Sequence, residues 1–167
     1  MLLISRDPIF TPRLELRRTR IEDAAAMFEA LRHPEMYLYV PHKTPTTVAD
    51  VEVRFARVMQ ETAPDRLDQW LNWTVWRSED STPLGTVEAT ISQHHAASIG
   101  YMFSPRAWGH GYATEAAKGM IDHLRAQGAH TIKAEIDVRN EASKAVVARL
   151  GFQHAFTQQG EEYWRLS

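Results

Sequence analysis

Ile99-Gly100-Tyr101-Met102-Phe103-Ser104-Pro105-Arg106-Ala107-Trp108-Gly109-His110-Gly111-Tyr112-Ala113-Thr114-Glu115-Ala116 decides the fold of this chain. Ile99–Phe103 is rich in apolar and aromatic residues and reads as a short buried strand. Beyond Gly111, the residues Ala113, Ala116, Ala117, Met120, Ile121 and Leu124 recur at three- and four-residue steps, which is one apolar face of a helix. The segment is therefore a strand, a tight turn holding two glycines, and a helix. Glycine accepts positive φ and leaves no Cβ in the way of an approaching group. The first-turn N–H groups of the helix lack intrahelical partners, and the helix dipole adds partial positive charge there. Such a turn is an anion cradle suited to a phosphate or pyrophosphate.

Three ligand classes compete for it. A Walker A loop needs Gly-Lys-Ser/Thr, and no Lys lies between Arg106 and Ala117. A dinucleotide fingerprint asks for a third glycine where Thr114 stands and an acid about 20 residues on, whereas Asp137 lies further along. The third class is the pyrophosphate loop of acyl-coenzyme-A-dependent acetyltransferases, Gln/Arg-x-x-Gly-x-Gly/Ala, which Arg106–Gly111 fits without a mismatch. A turn without any ligand is the plain alternative.

A second segment, Asn140-Glu141-Ala142-Ser143-Lys144-Ala145-Val146-Val147-Ala148-Arg149-Leu150-Gly151-Phe152, follows a strand at Thr131–Val138. Asn140 is a good N-cap with Ser143 three residues on, and Gly151 is a C′ terminator. From about Arg13 onward the chain resembles the GNAT superfamily of N-acetyltransferases. The motifs at 108–116 and 140–152 resemble more narrowly the branch that acetylates ribosomal-protein N-termini and similar amines.

Composition sets outer bounds. A chain of 167 residues suits one domain, residues 1–167, and at this size buries about 70% of its unfolded surface. An apolar share of 44% with 24% charged residues is ordinary for a globular protein. A net charge of −2 argues against a nucleic-acid binder. Arg13, Arg17, Arg18 and Arg20 cluster, but Glu15, Glu22 and Asp23 interleave with or follow them, as on a solvated strand edge. With no Cys there is no disulfide framework, thiolate zinc site or Cys nucleophile, and no metal is expected. No apolar run approaches a membrane span and Met1–Ser5 is too short for a signal segment, so a cytoplasmic protein, monomeric or homodimeric, is the expectation.

Alternation at Arg13–Arg17 predicts a first strand, and Thr19 with Glu22 a capping box for a helix over about Arg20–Leu31. A loop with Tyr37, Tyr39, Pro41 and Pro45 follows, then a helix opened by Thr47 and Asp50 and running to about Glu61. Strands are predicted at Trp70–Arg77, Leu84–Gln93, Ile99–Phe103, Thr131–Val138, Gln153–Gln158 and Tyr163–Leu166, with a long helix over Gly111–Gln127. Trp70 and Trp76 share parity on an extended strand and Trp73 faces the other way, most of them as core. The resulting order, β-α-α-β-β-β-α-β-α-β-β, is the one the resemblance implies: an α/β fold with a twisted mixed sheet of about seven strands and helices on both faces.

The resemblance further implies direct transfer of an acetyl group from acetyl-CoA to an amine acceptor. The loop N–H groups of Gly109, His110, Gly111, Tyr112, Ala113 and Thr114, after Ser104, would take the pyrophosphate. Arg106 and Lys144 are candidates to flank the phosphates, with surface solvation as the other reading. The donor that polarises the thioester carbonyl falls in the family on the strand before the loop, here Met102 or Phe103. Many relatives carry a Tyr seven residues beyond the Asn, where this chain has Val147. Ser143, one turn past Asn140, then becomes the candidate to protonate the departing thiolate, directly or through water; a bond to its own helix start is the alternative. Among Glu88, His94, His95 and Glu115, Glu88 is taken as the candidate base, acting through water from its strand, against a plainly exposed Glu. Glu115 in the first helical turn favours the dipole, and adjacent His94 and His95 read as a loop pair. Tyr37 and Tyr39 lie in the loop that walls the acceptor pocket in the family and are the candidate acceptor-binding residues. A longer acyl-CoA, or an acyl-CoA sensor without turnover, keeps the same fold.

Overall fold

The computed structural model describes residues 1–167. In chain order it contains β1 (Ile9–Phe10), β2 (Leu14–Arg18), α1 (Ala24–Leu31), α2 (Val48–Val58), β3 (Gln69–Arg77), β4 (Pro83–Ile91) and β5 (Ala96–Phe103). Then come α3 (Tyr112–Ala126), β6 (Thr131–Asp137), α4 (Glu141–Arg149), β7 (Gln153–Gln158) and β8 (Glu161–Leu166). All the strands form one sheet in the order β1-β2-β3-β4-β5-β6-β8-β7, antiparallel except for the β5–β6 pair. The strand beyond the seven expected is β1, a two-residue pairing of Ile9 and Phe10 with β2. Two residues are too few to show an alternation.

Alternation along the strands sends side chains to two cores. The larger, under α3 and α4, holds Leu14, Leu16, Trp73, Val75, Met120 and Val147. The smaller, under α1 and α2 on the opposite face, holds Met27, Leu31, Tyr37, Phe55 and Trp76. Trp73 and Trp76 therefore serve different cores, as their parity requires. No helix is long and apolar enough to cross a membrane.

The two expected helix starts fare differently. At α2, Thr47 Oγ1 accepts from the Asp50 N–H at 3.2 Å and the Asp50 carboxylate accepts from the Thr47 N–H at 3.1 Å. Thr19 makes no cap: its N–H donates to Asn72 O at 3.0 Å, so it is still an extension of the sheet. A 3-10 turn over Ile21–Asp23 intervenes, and α1 begins only at Ala24 without a side-chain cap.

The feature that positions the site lies at the middle of the sheet. β5 and β6 run parallel and pair only from Ala96↔Thr131 to Ile99↔Ala134. Beyond that, Gly100–Phe103 stays paired to β4 on its other side, and Glu135–Asp137 stays paired to β8. The two strands thus diverge, and a gap opens between them, leading from the glycine turn to the start of α4.

Candidate active site

The glycine turn has the backbone that its sequence requires. Gly109 and Gly111 adopt φ of +77° and +76°, a region that side-chain-bearing residues rarely occupy. A 3-10 turn over Pro105–Ala107 leads in, and the Trp108 indole N–H donates to Phe103 O at 2.9 Å, pinning the turn to the end of β5. No protein group accepts the N–H of Gly109, His110, Gly111, Tyr112, Ala113 or Thr114, and α3 has no side-chain N-cap. These donors, at the positive end of a fifteen-residue helix, are what an anion would meet.

Charge around the turn is arranged in a way the sequence did not reveal. Arg13, just before β2, stacks over the Tyr112 ring at 4.5 Å, and its Nη2 lies 3.6 Å from where a Cβ on Gly111 would stand. The same side chain pairs with Glu115 at 2.7 Å. Glu115 also accepts from Thr11 Oγ1 at 2.5 Å and from the Arg13 N–H at 2.9 Å. Partial burial raises the Glu115 pKa, but these hydrogen bonds outweigh burial and the net shift is downward. Glu115 is thus an anchor for β2 on α3, in keeping with its structural reading. Arg106 is exposed, while Lys144 is committed: its Nζ reaches Val138 O at 2.9 Å, Glu141 at 2.8 Å and Glu162 at 2.9 Å. Lys144 therefore braces α4 against β8 and is not a free cation beside the turn. His110 keeps its ring exposed, stacked on Tyr112.

A cavity of about 820 Å³ occupies the gap and opens toward α2 and the segment that precedes it. It brings together Glu88, Met102, Phe103, Ala113, Asn140 and Ser143, with Tyr39 at its wall. Hydrogen bonding discriminates between the two backbone candidates on β5. The Ser104 N–H donates to Leu84 O at 2.8 Å, and the register pairs Gly85 with Phe103. Alternation then turns the Phe103 N–H away from β4 and toward the gap, and the Met102 N–H toward β4. Of the two, Phe103 is the one whose N–H faces the gap.

Asn140 is the N-cap of α4, accepting from the Ser143 N–H at 3.1 Å. The Ser143 hydroxyl makes no hydrogen bond to the protein, although the residue lines the cavity. Val147 is fully buried in the larger core. A tyrosine there would overpack the core and not reach the cavity. The phenol that does reach α4 comes from β5: Tyr101 Oη donates to Ser143 O at 2.8 Å. Nothing in the local sequence pairs residues 42 positions apart.

On the opposite wall, the exposed Glu88 folds its carboxylate over Gly100, where a Cβ would stand 2.9 Å from Oε1. The absent side chain at Gly100 makes room for it. His42, which the sequence reading overlooked, lines the same cavity. Burial, then repulsion from Arg54, holds its pKa below the ordinary imidazole value despite the opposing influence of Glu88. The imidazole is accordingly neutral at pH 7. His94 and His95 belong to the β4–β5 loop, away from the cavity.

The two candidate acceptor tyrosines part company. Tyr37 is buried in the smaller core, its hydroxyl donating to Leu31 O at 2.7 Å, and does not line the cavity. Tyr39 does, and Arg139 lies over its ring at 5.2 Å. Arg139 is held in turn by Asp137 through Nε–Oδ1 at 2.9 Å and Nη2–Oδ2 at 2.8 Å, which lowers the Asp137 pKa to about 2.

A twisted sheet split at its centre, with a glycine turn at one end of the split, defines an acyltransferase of GNAT architecture. The chain belongs to the GNAT acetyltransferase family: the sequence profile of the acetyltransferase (GNAT) domain matches residues 13–153. It is similar to the uncharacterized N-acetyltransferase YoaA of Bacillus subtilis (strain 168), 27% identical over 146 residues that cover 86% of this chain and 81% of that one. Among solved structures, an acetyltransferase (GNAT family) from Bacillus anthracis superposes with a TM-score of 0.81 at 20% identity, covering 96% of this chain and 98% of the other. RimL, a ribosomal L7/L12 alpha-N-protein acetyltransferase solved in complex with coenzyme A, gives a TM-score of 0.80 at 16% identity, covering 96% and 97%. At these identities the structural likeness speaks for the fold.

Proposed function

We propose that this acetyltransferase moves the acetyl group of acetyl-CoA directly onto a primary amine, a protein N-terminus or a small-molecule amine. The observation that carries the reading is the continuity between the unpartnered N–H groups of Gly109–Thr114 and a gap lined by Phe103, Asn140 and Ser143. One end suits a pyrophosphate and the other a thioester, and the gap between them suits the pantetheine arm. When bound, acetyl-CoA supplies the activated acetyl group. The likeness to a structure solved with coenzyme A supports the same ligand here.

The chain's own residues then have distinct tasks. The turn holds phosphate charge, with Arg106 exposed beside it and Arg13 neutralising Glu115. The Phe103 N–H is aimed where a carbonyl oxygen would gain negative charge in the tetrahedral transition state. Neutral His42 and the carboxylate of Glu88, on the acceptor side, are placed to accept the proton an ammonium must lose before it attacks. Ser143 offers a free hydroxyl on the α4 side for the departing sulfur, directly or through water. Tyr39 and Arg139 form the wall that an acceptor meets on entry.

The test is release of CoA thiol from acetyl-CoA in the presence of a panel of amines and N-terminal peptides, with acetylated product identified by mass spectrometry. Amine-dependent release with stoichiometric product is expected. Tight CoA binding without product from any acceptor would leave a binding domain, and preference for longer acyl chains would change the donor.

A further inference from the structure

We propose that Tyr101 is a positioning residue for the thioester site, a strut across the gap that sets the place of the Ser143 hydroxyl. The proposal rests on the acetyl-transfer reading above, in which Ser143 serves the departing sulfur.

Past Ile99↔Ala134, β5 and β6 share no further pairing, so no ladder fixes the width of the gap where chemistry would occur. Between residues 100–103 of β5 and α4 there is one hydrogen bond, from Tyr101 Oη to Ser143 O at 2.8 Å. Ser143 is consequently held at both ends of its own backbone. Its N–H goes to the Asn140 side chain at 3.1 Å and its carbonyl receives the Tyr101 phenol. A carbonyl oxygen has two lone pairs, so it can take the phenol as well as a helical N–H. The hydroxyl of Ser143 is left without a protein partner. The backbone of β5 that carries the Phe103 N–H and the helix turn that carries Ser143 are thereby fixed relative to each other by one side chain. Desolvation holds the Tyr101 pKa above that of an ordinary phenol, outweighing the hydrogen bond to Ser143. Tyr101 therefore stays a neutral O–H donor across the working pH range and the strut does not titrate away.

The decisive variant is Tyr101→Phe, which keeps the ring and its packing and removes only the strut. On the whole chain, we expect kcat to fall about tenfold, the worth of one hydrogen bond of ordinary net strength, with KM for acetyl-CoA unchanged. We also expect faster hydrogen exchange at the amides of the first turn of α4, while the melting temperature falls by no more than about 2–4 °C, the worth of the one bond. In a Ser143→Ala background, Tyr101→Phe should have no further effect on kcat, because there is no hydroxyl left to misplace. An equal loss in both backgrounds would mean that Tyr101 acts independently of Ser143, and the proposal falls. Unchanged kcat together with unchanged exchange would also overturn it. If the parent chain acetylates no amine, the proposed function fails on that result, and the exchange comparison still decides whether Tyr101 holds α4.

Discussion

Arg13 Nε stands 2.7 Å from Glu115 Oε1, joining the segment between β1 and β2 to the first turn of the helix that would hold phosphate. The pair places a carboxylate beside an anion cradle and neutralises it in the same contact. Arg13→Ala should therefore expose the cradle to an uncompensated negative charge and weaken acetyl-CoA binding by about fivefold, the roughly 1 kcal/mol of a solvent-screened charge pair. Restoration of affinity by Glu115→Gln in that background, measured by calorimetry, is the expected outcome; loss without restoration would mean that Arg13 contacts the ligand itself. The pair also bears on acid stability. Because the folded-state pKa of Glu115 is lowered, its contribution is present above the unfolded value of about 4.3 and is lost as pH falls through the folded value. Glu115→Gln should flatten the melting-temperature profile in that acid range.

Gly109 separates backbone strain from ligand contact. A Cβ there meets nothing within 4 Å in the protein, yet φ is +77°. Gly109→Ala should lower stability by about 1 kcal/mol through the left-handed backbone alone. CoA affinity should fall by a larger factor, since the methyl group occupies the approach to the free N–H groups. Gly111→Val should have a stronger effect, with Arg13 Nη2 already 3.6 Å from the new Cβ. Equal affinity for parent and Gly109→Ala in calorimetry would remove this turn as the phosphate site.

Asn140 and Ser143 can be told apart by what each variant changes. Asn140→Ala removes the cap of α4 and should cost about 1 kcal/mol of stability, together with turnover. Ser143→Ala keeps the capped N–H and the carbonyl that Tyr101 holds, so the melting temperature should hold while kcat drops by about 10²-fold. A Ser143→Ala enzyme with the parent rate would make the serine structural and leave solvent to protonate the thiolate. Val147→Tyr is expected to destabilise by about 1–3 kcal/mol in chemical denaturation and to restore nothing, since position 147 is core.

His42 predicts the shape of the pH profile. Burial, then repulsion from Arg54, lowers its pKa, so the imidazole takes up its proton at a lower pH than a free histidine. The acid limb of kcat/KM should accordingly fall at a pH below the unperturbed histidine value of about 6.5, and His42→Gln should abolish that limb. The same shift carries a stability sign. A histidine that folds neutral is protonated more readily when unfolded, so stability falls as pH drops below about 6.5. Persistence of the limb in His42→Gln, with its loss in Glu88→Gln, would assign the base to Glu88.

What the sequence by itself determined is what near neighbours determine. The paired glycines required positive φ whatever surrounded them, Thr47 with Asp50 and Asn140 with Ser143 are helix starts spaced three residues apart, and parity sent Trp73 and Trp76 to opposite cores. The site was decided by the tertiary structure. Its width comes from how far β5 and β6 stay parallel, its strut joins residues 42 apart, and its charge balance joins residues 102 apart. Tyr37 and Lys144 look as available in the sequence as Tyr39 and Arg106, yet one is packed in the smaller core and the other is bound to two carboxylates. The physical reason is the range of the forces concerned. Backbone conformation and capping act within one turn, whereas desolvation and charge pairing depend on which distant segment packs alongside, and no local pattern carries that information.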